Sequence, residues 1–126
     1  MFVYIDSFKQ INDVYGHTEG DRVLKNVADI LKNICNEFPS SVCARHGGDE
    51  FAVMYVSKDG GDAAPLIKKI YRSIELANER DSFAYTTSIS IGCSQYGGKV
   101  SCIKDLIIDA DENMYNEKSK KSTYKI

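Results

Sequence analysis

The stretch Arg45-His46-Gly47-Gly48-Asp49-Glu50-Phe51 lies between two β-prone segments, VCA at 42–44 and AVMYV at 52–56. Two adjacent glycines between such segments predict a hairpin turn, because glycine adopts positive φ without steric cost. Since side chains alternate across a strand, we expect Asp49 and Glu50 to point to opposite faces of the sheet. The bare glycine backbone would also let a large charged ligand come close to the turn. Taken alone, a turn of this composition is most often a polar hairpin tip.

The apolar pattern on both sides of the hairpin predicts further strands and four helices. Thr18 and Asp21 form a variant of the capping box, and Asp62 and Ser101 are the expected caps of two later helices, the first with Pro65 in its first turn. The predicted order is strand 1–6, helix 7–13, helix from Thr18 to Pro39, hairpin, helix from Asp62 to Ala77, strand 83–93, helix from Ser101 to Met114, and a possible edge strand at 122–126. A central hairpin excludes a purely parallel sheet. The expected fold class is therefore α+β, a sandwich of a mostly antiparallel central sheet with helices packed on it.

The same periodicity predicts which side chains share a face. On the first strand, Phe2, Tyr4 and Asp6 should share one face, and Val3 and Ile5 the other. On the last helix, the residues expected to face inward are Ile103, Leu106, Ile107, Ala110 and Met114.

The composition is typical of a soluble globular domain of 126 residues, with 43% hydrophobic residues, 27% charged residues and a net charge of −2. The only basic cluster is Lys118, Lys120 and Lys121, so neither nucleic acid nor a membrane surface is expected as a partner. We expect no signal peptide and no bilayer-spanning segment. The four cysteines lack CxxC or zinc-ligand spacing, which favours reduced thiols in a cytoplasmic protein.

Four stretches form an ordered series of motifs. They are IDSFKQINDVYGH at 5–17 with Gly20-Asp21, the hairpin GGDEF at 47–51, ADENMY at 110–115 with Lys118, and the weaker SISIG at 88–92. In order and spacing they resemble the GGDEF family of diguanylate cyclases over essentially the whole chain. The resemblance implies a fold of the nucleotide-cyclase or ferredoxin-like type.

Members of that family condense two GTP molecules into cyclic di-GMP and two diphosphates, with one GTP held by each subunit of a facing pair. The resemblance therefore implies GTP as the ligand and Mg²⁺ as the cofactor, because phosphoryl transfer needs a divalent ion on hard oxygen ligands. It implies as partner a homodimer of such domains, or other domains of a longer chain.

The resemblance also assigns the metal and catalytic residues. Asp49 matches the metal-ligating acid of the turn, and Glu50 matches the acid that assists the attacking hydroxyl. Ile5 would offer its backbone carbonyl to the metal, and Asp6 is the nearest further carboxylate.

Asn12 and Asp21 match the residues that read the guanine edge, and Leu24 matches a residue lining that pocket. An amide and a carboxylate suit guanine, whose N1–H and N2–H₂ groups donate hydrogen bonds. Each also has a structural alternative, since Asn12 could end its helix and Asp21 could cap the next one.

Lys9 and Lys118 match phosphate contacts, and backbone N–H groups around Ser7 and Phe8 suit the terminal phosphates. In the structural alternative, Lys9 is an ordinary solvated lysine and Lys118 complements a helix dipole.

The chain departs from the family pattern at four points. Tyr4 replaces the first acid of D-x-D, a metal ligand, and a phenol is a poor ligand for Mg²⁺. Ser122 replaces a phosphate-contacting arginine. The family's inhibitory R-x-x-D site falls on Phe38-Pro39-Ser40-Ser41 and is absent. The opening helix with its D-x-L-T-G-L-x-N-R motif is missing, so we expect a single domain over 1–126, truncated at its N-terminus relative to the family.

Two hypotheses from different classes follow. The first is an active diguanylate cyclase that uses Asp49, Glu50 and Asp6. The second, which Tyr4 favours, is a degenerate, non-catalytic domain that binds GTP, or no nucleotide, and serves as a regulatory or dimerisation module of a longer signalling protein. A ferredoxin-like domain of unrelated function would require all four motif matches to be accidental.

Overall fold

Four antiparallel strands form one sheet in the order β2-β3-β1-β4, and helices cover both of its faces. The computed structural model describes residues 1–123. The elements are β1 (Phe2–Ile5), α1 (Phe8–Tyr15), α2 (His17–Glu37), β2 (Ser41–Gly47), β3 (Glu50–Tyr55), α3 (Ala64–Arg80), β4 (Ile89–Gly92) and α4 (Ile103–Thr123). This architecture confirms the predicted α+β sandwich and the central hairpin.

The main core lies between the sheet and helices α2 and α3. Val3 and Ile5 of β1 are fully buried there, as the alternation along the first strand predicts. They pack with the apolar stripes of the two helices and with the inner residues of β3 and β4. These residues are Val23, Leu24, Val27, Leu31 and Ile34 of α2, Leu66, Ile70 and Ile74 of α3, Phe51 and Val53 of β3, and Ile89 and Ile91 of β4.

The opposite face of the sheet is covered by α4. Phe2 packs there with Ala110 and Met114 in a second, smaller apolar cluster. The helix backbone touches β4 at Gly92, where an added Cβ atom would lie 2.1 Å from the Met114 nitrogen and 2.2 Å from the Ala110 oxygen. Glycine at this position therefore allows α4 to lie directly on the sheet.

The last helix buries less than its sequence pattern predicts. Ala110 and Met114 face inward as expected, but Ile103 is 73% exposed and Ile107 is 49% exposed. The expectation for these two isoleucines was wrong, because the close contact between α4 and the sheet lies further along the helix, at Ala110 and Met114. No helix in the described part of the chain is long and apolar enough to cross a bilayer.

The predicted strand over 83–93 is wrong for its first half, since β4 contains only Ile89–Gly92. Before β4, the chain pairs with a side chain instead of a strand. Asn78 of α3 donates to the Thr87 carbonyl at 2.8 Å and accepts from the Thr87 N–H at 2.9 Å. A segment with alternating burial therefore forms without belonging to the sheet, and it bends at Ala84 and Tyr85.

Several predicted termini also change. Helix α2 begins at His17 after Gly16 and has no side-chain cap, so the capping box at Thr18 was wrong. The cap residue of α3 is Ala63 and not Asp62 as predicted, although Asp62 does accept the Ala64 N–H at 3.0 Å. Pro65 lies in the first turn of α3, as expected. At the start of α4, the Cys102 sulfur accepts the Asp105 N–H at 3.5 Å, in the place predicted for Ser101.

The possible edge strand predicted at 122–126 does not form at residues 122 and 123, the two of these positions that the structure describes. Residues 122 and 123 are the last two positions of α4. Residues 124–126 lie outside the described part of the chain.

The contact at Gly92 leads to a stability prediction. Replacing Gly92 with alanine places a methyl group on backbone atoms of α4, and we expect the free energy of unfolding to fall by about 3 kcal/mol. Urea denaturation monitored by circular dichroism measures the change. The matched control is Gly61→Ala, whose Cβ would meet only the Ser57 hydroxyl at 3.6 Å. Equal stability of the two variants would contradict the close contact.

Candidate functional site

The hairpin tip is held by the arginine that precedes it. Arg45 donates from Nε to the Gly47 carbonyl at 3.1 Å and from a terminal nitrogen to the Gly48 carbonyl at 2.7 Å. The pairing of β2 with β3 shifts register between Arg45 and Gly47, so the strand bends before the turn. The guanidinium thus fixes the backbone from which the two acidic residues follow.

The two glycines of the turn leave its backbone open to a ligand, and the turn does not use their conformational freedom. Neither Gly47 nor Gly48 has a positive φ, so the conformational reason for predicting them at the turn was wrong. A Cβ atom added at either residue would meet nothing within 4 Å. The backbone on this side is therefore approachable, as the sequence suggested.

Glu50 is the first residue of β3 and lies directly opposite Tyr4 of β1. Its Oε1 atom is buried without a hydrogen-bond partner among the described residues. Burial raises the pKa of Glu50, and Asp111 and Asp49 add to the rise against an opposing effect of His46. An unpaired buried carboxylate oxygen is costly, so it is suited to accept a hydrogen bond from a ligand hydroxyl.

Asp49 lies in the turn itself, before β3 begins, so strand alternation does not determine its direction. Its backbone carbonyl accepts the Ile5 N–H at 3.0 Å. This bond places the turn beside the end of β1, next to the backbone that the resemblance assigned to a metal.

Tyr4 is bound to a lysine from the other end of the chain. Lys118 of α4 donates to the Tyr4 hydroxyl at 2.8 Å, and its Nζ lies 4.0 Å from the ring centroid. The hydrogen bond to Tyr4 raises the pKa of Lys118, and the carboxylates of Asp49 and Asp6 contribute against the cost of burial. An ammonium group is therefore fixed beside the acidic turn.

Asp6 lies at the centre of a closed polar cluster. Its carboxylate accepts the Ser88 hydroxyl at 2.7 Å, the Ser90 hydroxyl at 2.6 Å and the Lys121 ammonium at 2.9 Å. Lys121 also donates to the backbone carbonyl of Ile89. The side chain of Asp6 is only 9% exposed.

These contacts decide how well the site fits a divalent cation. Mg²⁺ requires oxygen ligands, mostly carboxylates and water. At position 4, where the resemblance implies a carboxylate, there is a phenol bound to an ammonium, and the Asp6 carboxylate is already engaged by two hydroxyls and an ammonium. In residues 1–123, no three histidine, cysteine or acidic side chains converge to hold a metal ion. The residues present do not fit the pair of carboxylates that the resemblance implies.

Two of the residues predicted to read guanine lie together at a cleft. Asp21 and Leu24 of α2 line a cavity of about 590 Å³ between that helix and β2, which also contains Phe51 and the cation Arg45. Asn12 does not line the cavity. It lies beside it, packed so closely against Gly20 that a Cβ there would be 1.8 Å from the Asn12 Oδ1 atom.

The predicted phosphate contacts lie at the start of α1. Ser7 precedes this helix with φ of 57°, a left-handed conformation that is rare for serine. Phe8 is the first helical residue and packs partly against the core, while Lys9 is exposed. As in any α-helix, the first N–H groups of α1 have no carbonyl partner within the helix.

Sequence reasoning missed Arg45, Ser88, Ser90 and Lys121. A signal for the serines existed, because Ser88 and Ser90 alternate on one strand and share the face of Asp6. Lys121 also lies three residues after Lys118 on α4, which places both ammonium groups on one side of the helix.

Comparison with known proteins agrees with these features. A family model described as "Diguanylate cyclase, GGDEF domain" matches residues 1–123. Diguanylate cyclase A of Treponema denticola is 35% identical over 119 residues, which cover 94% of this chain and 32% of that protein. The bifunctional diguanylate cyclase/cyclic di-GMP phosphodiesterase MucR of Pseudomonas aeruginosa is 35% identical over 118 residues, which cover 94% of this chain and 17% of that protein. The chain thus spans less than two thirds of the length of these curated relatives.

Solved structures share the fold. The GGDEF domain of YfiN, also called TpbB, from Pseudomonas aeruginosa has a TM-score of 0.83 and 38% identity, over 94% of this chain and 74% of that one. An EAL/GGDEF domain protein from M. capsulatus has a TM-score of 0.79 and 30% identity, over 94% of this chain and 76% of that one. The resemblance derived from the four sequence motifs is confirmed.

The cluster around Asp6 predicts a pH-dependent contribution to stability. Burial would raise the pKa of Asp6, but hydrogen bonds from Ser90, Ser88 and Lys121 together lower it below its ordinary value of 3.8. The carboxylate therefore stabilises the folded state above that pH, and the stabilisation is lost as the pH falls through the lowered pKa. We expect Asp6→Asn to lower the free energy of unfolding by about 2 kcal/mol at pH 7.

Urea denaturation between neutral and acidic pH tests this expectation. The difference between wild type and Asp6→Asn should shrink below about pH 4. Asp59→Asn, at an exposed loop position, is the control and should stay within about 0.5 kcal/mol of wild type throughout. A difference for Asp6→Asn that does not vary with pH would rule out the charged cluster.

Proposed function

The chain belongs to the GGDEF family of diguanylate cyclase domains, and from this premise we propose that it is a GTP-binding regulatory domain of cyclic di-GMP signalling with weak or no cyclase activity. The observation that carries the proposal is the bond between Lys118 and Tyr4 at 2.8 Å, at the position of the family's metal-ligating acid. Nucleotide recognition and metal binding depend on different residues in this domain. On our proposal, the residues that recognise the nucleotide are retained, and the residues that bind the metal are altered.

Retention of guanine binding is supported by Asp21, Leu24 and Asn12. Asp21 is exposed at the cleft and can accept hydrogen bonds, while Leu24 offers an apolar wall for a flat base. Lys9, the N–H groups at Phe8 and the ammonium of Lys118 would receive the phosphates.

Weak catalysis follows from the acids that are left. Asp49 and Glu50 are present, but Asp6 could ligate a metal only by giving up Ser88, Ser90 and Lys121. A cation placed there would also lie near the Lys118 ammonium, and like charges repel. Mg²⁺ would therefore be bound less well than by two free carboxylates.

A second candidate function is an active diguanylate cyclase that uses Asp49, Glu50 and Asp6. One observation favours it: the Oε1 atom of Glu50 is buried and unpaired, which suits a group that receives a proton from an attacking hydroxyl. On this hypothesis Mg²⁺ would be held by Asp49, Asp6 and the Ile5 carbonyl after Lys121 moves away.

The proposed partner is a second copy of such a domain, or another domain of a longer chain. Cyclic di-GMP chemistry in this family brings two GTP-loaded domains face to face. Ile103, Ile107 and Ile108 of α4 are 73%, 49% and 46% exposed, and such an apolar surface supports pairing with another domain.

Product analysis separates the two candidate functions. We expect wild type incubated with GTP and Mg²⁺ to form no more cyclic di-GMP than Glu50→Gln, which lacks the proton-accepting carboxylate. Chromatography of the nucleotides measures the product, and calorimetry measures GTP binding to the same samples. Product from wild type well above the Glu50→Gln blank would establish the active cyclase and overturn our proposal.

Guanine recognition is tested by comparing GTP with ATP. We expect Asp21→Ala to weaken GTP binding about tenfold or more, because hydrogen bonds to a charged acceptor are lost, and to leave ATP binding unchanged. Asp29→Ala is the matched control, since Asp29 is an exposed acid two turns further along α2. An equal effect of Asp21→Ala on both nucleotides would show that Asp21 does not read the base.

A further inference from the structure

We propose that Gly20 is a positioning residue for guanine recognition: because it has no side chain, the amide of Asn12 can lie against α2 directly beside Asp21. The inference rests on the proposed GTP-binding function and deepens it by naming a position that determines specificity through a neighbour. Asn12 belongs to α1 and Asp21 to α2, so the two groups can act on one base only if the helices hold them side by side.

The join between α1 and α2 brings Asn12 to the start of the second helix. Only Gly16 separates the two helices, and its φ of 89° and ψ of 162° end the first one. The Asn12 carbonyl accepts the Gly16 N–H at 2.9 Å, and the Gly16 carbonyl accepts the Gly20 N–H at 3.2 Å. These two bonds fix the backbone between Asn12 and the first turn of α2, from which Asp21 follows.

The contact between Asn12 and Gly20 leaves no room for a side chain at position 20. An ideal Cβ atom on Gly20 would lie 1.8 Å from the Asn12 Oδ1 atom and 2.8 Å from its Cγ atom, well inside van der Waals distance. The amide group of Asn12 therefore occupies the place where a side chain of residue 20 would begin. Among residues 1–123 no hydrogen-bond partner engages this amide, so it is open to a ligand.

Both residues are locally unfavourable in the helices that contain them. Helix α1 continues to Tyr15 and its cap is Gly16, so Asn12 lies inside the helix and does not end it. Gly20 is buried in the first turn of α2. Asparagine is a weak helix former, and glycine inside a helix is less favourable than alanine. Two residues that oppose their helices and contact each other indicate a functional constraint on that contact.

A methyl group at position 20 would displace the amide and leave the backbone in place. The atoms in its way are the far end of the flexible Asn12 side chain, which can turn to another rotamer. Alanine also favours the helical conformation over glycine. We therefore expect Gly20→Ala to be folded and at least as stable as wild type, with an Asn12 amide that no longer lies beside Asp21.

The experiment is calorimetric titration of GTP and of ATP, in Mg²⁺, into wild type, Gly20→Ala, Asn12→Ala and the double variant. We expect each single change to weaken GTP binding about tenfold and to leave ATP binding unchanged, because a hydrogen bond to guanine is lost. In the double variant, Gly20→Ala should add nothing to the effect of Asn12→Ala, since the atoms that the methyl group displaces are already absent.

A second glycine provides the matched control. The Cβ atom of Gly61→Ala would meet only the Ser57 hydroxyl at 3.6 Å, so this variant should bind GTP as wild type does. Urea denaturation of each variant measures its stability. A GTP-specific loss in a stable Gly20→Ala, absent from the Asn12→Ala background, supports the proposal.

Three results would overturn it and leave the proposed GTP-binding function intact. Unchanged GTP binding by Gly20→Ala would show that the amide does not depend on position 20. A loss that is equal for GTP and ATP, or that recurs in the Asn12→Ala background, would show that the methyl group disturbs the fold. Unchanged GTP binding by Asn12→Ala would show that Asn12 does not read the base. Absence of GTP binding by wild type would refute the proposed function itself, and this inference with it.

Discussion

The close contact between α4 and β4 at Gly92 is the constraint on which the rest of the arrangement depends. The Met114 nitrogen and the Ala110 oxygen lie where a Cβ atom of any other residue would be. Helix and strand backbones therefore meet at a distance that only glycine allows. A methyl group there would lift the helix and separate Ala110 and Met114 from Phe2, their partner in the smaller apolar cluster. The direction of α4 across the sheet, and the place that its last turns reach, follow from this contact.

The last turns of α4 bring two cations to the end of β1, where they meet different partners. Lys118 and Lys121 are three residues apart and lie on one side of the helix. Lys121 meets the carboxylate of Asp6, so the two charges cancel within a nearly buried cluster of hydroxyls. Lys118 donates to the Tyr4 hydroxyl at 2.8 Å, and its ammonium lies over the Tyr4 ring. Two lysines on one side of the helix thus meet different partners at the end of β1, a phenol and a carboxylate.

Sequence reasoning predicted what depends on local periodicity and failed where contacts join distant residues. The alternation from Phe2 to Asp6 and the apolar stripe of α2 predicted the fold class and the buried faces correctly. The segment before β4 misled the prediction, because alternating burial looks the same whether Thr87 pairs with a strand or with the Asn78 side chain. The partners of Tyr4 and Asp6 could not be predicted, since 114 residues separate Tyr4 from Lys118 and only the packing of α4 decides that they meet.

The pairing of β1 with β3 explains why the geometry of the G-G-D-E-F turn does not depend on the side chain at position 4. The turn is held by backbone carbonyls, two of which accept from Arg45, while a third, at Asp49, accepts the Ile5 N–H. None of these bonds involves the side chain at position 4. A carboxylate in place of the Tyr4 phenol would therefore change the charge opposite Glu50 without requiring the turn to move. Different residues determine the shape of this site and its charge. The turn motif therefore predicts the backbone geometry of the site but not the charge opposite Glu50.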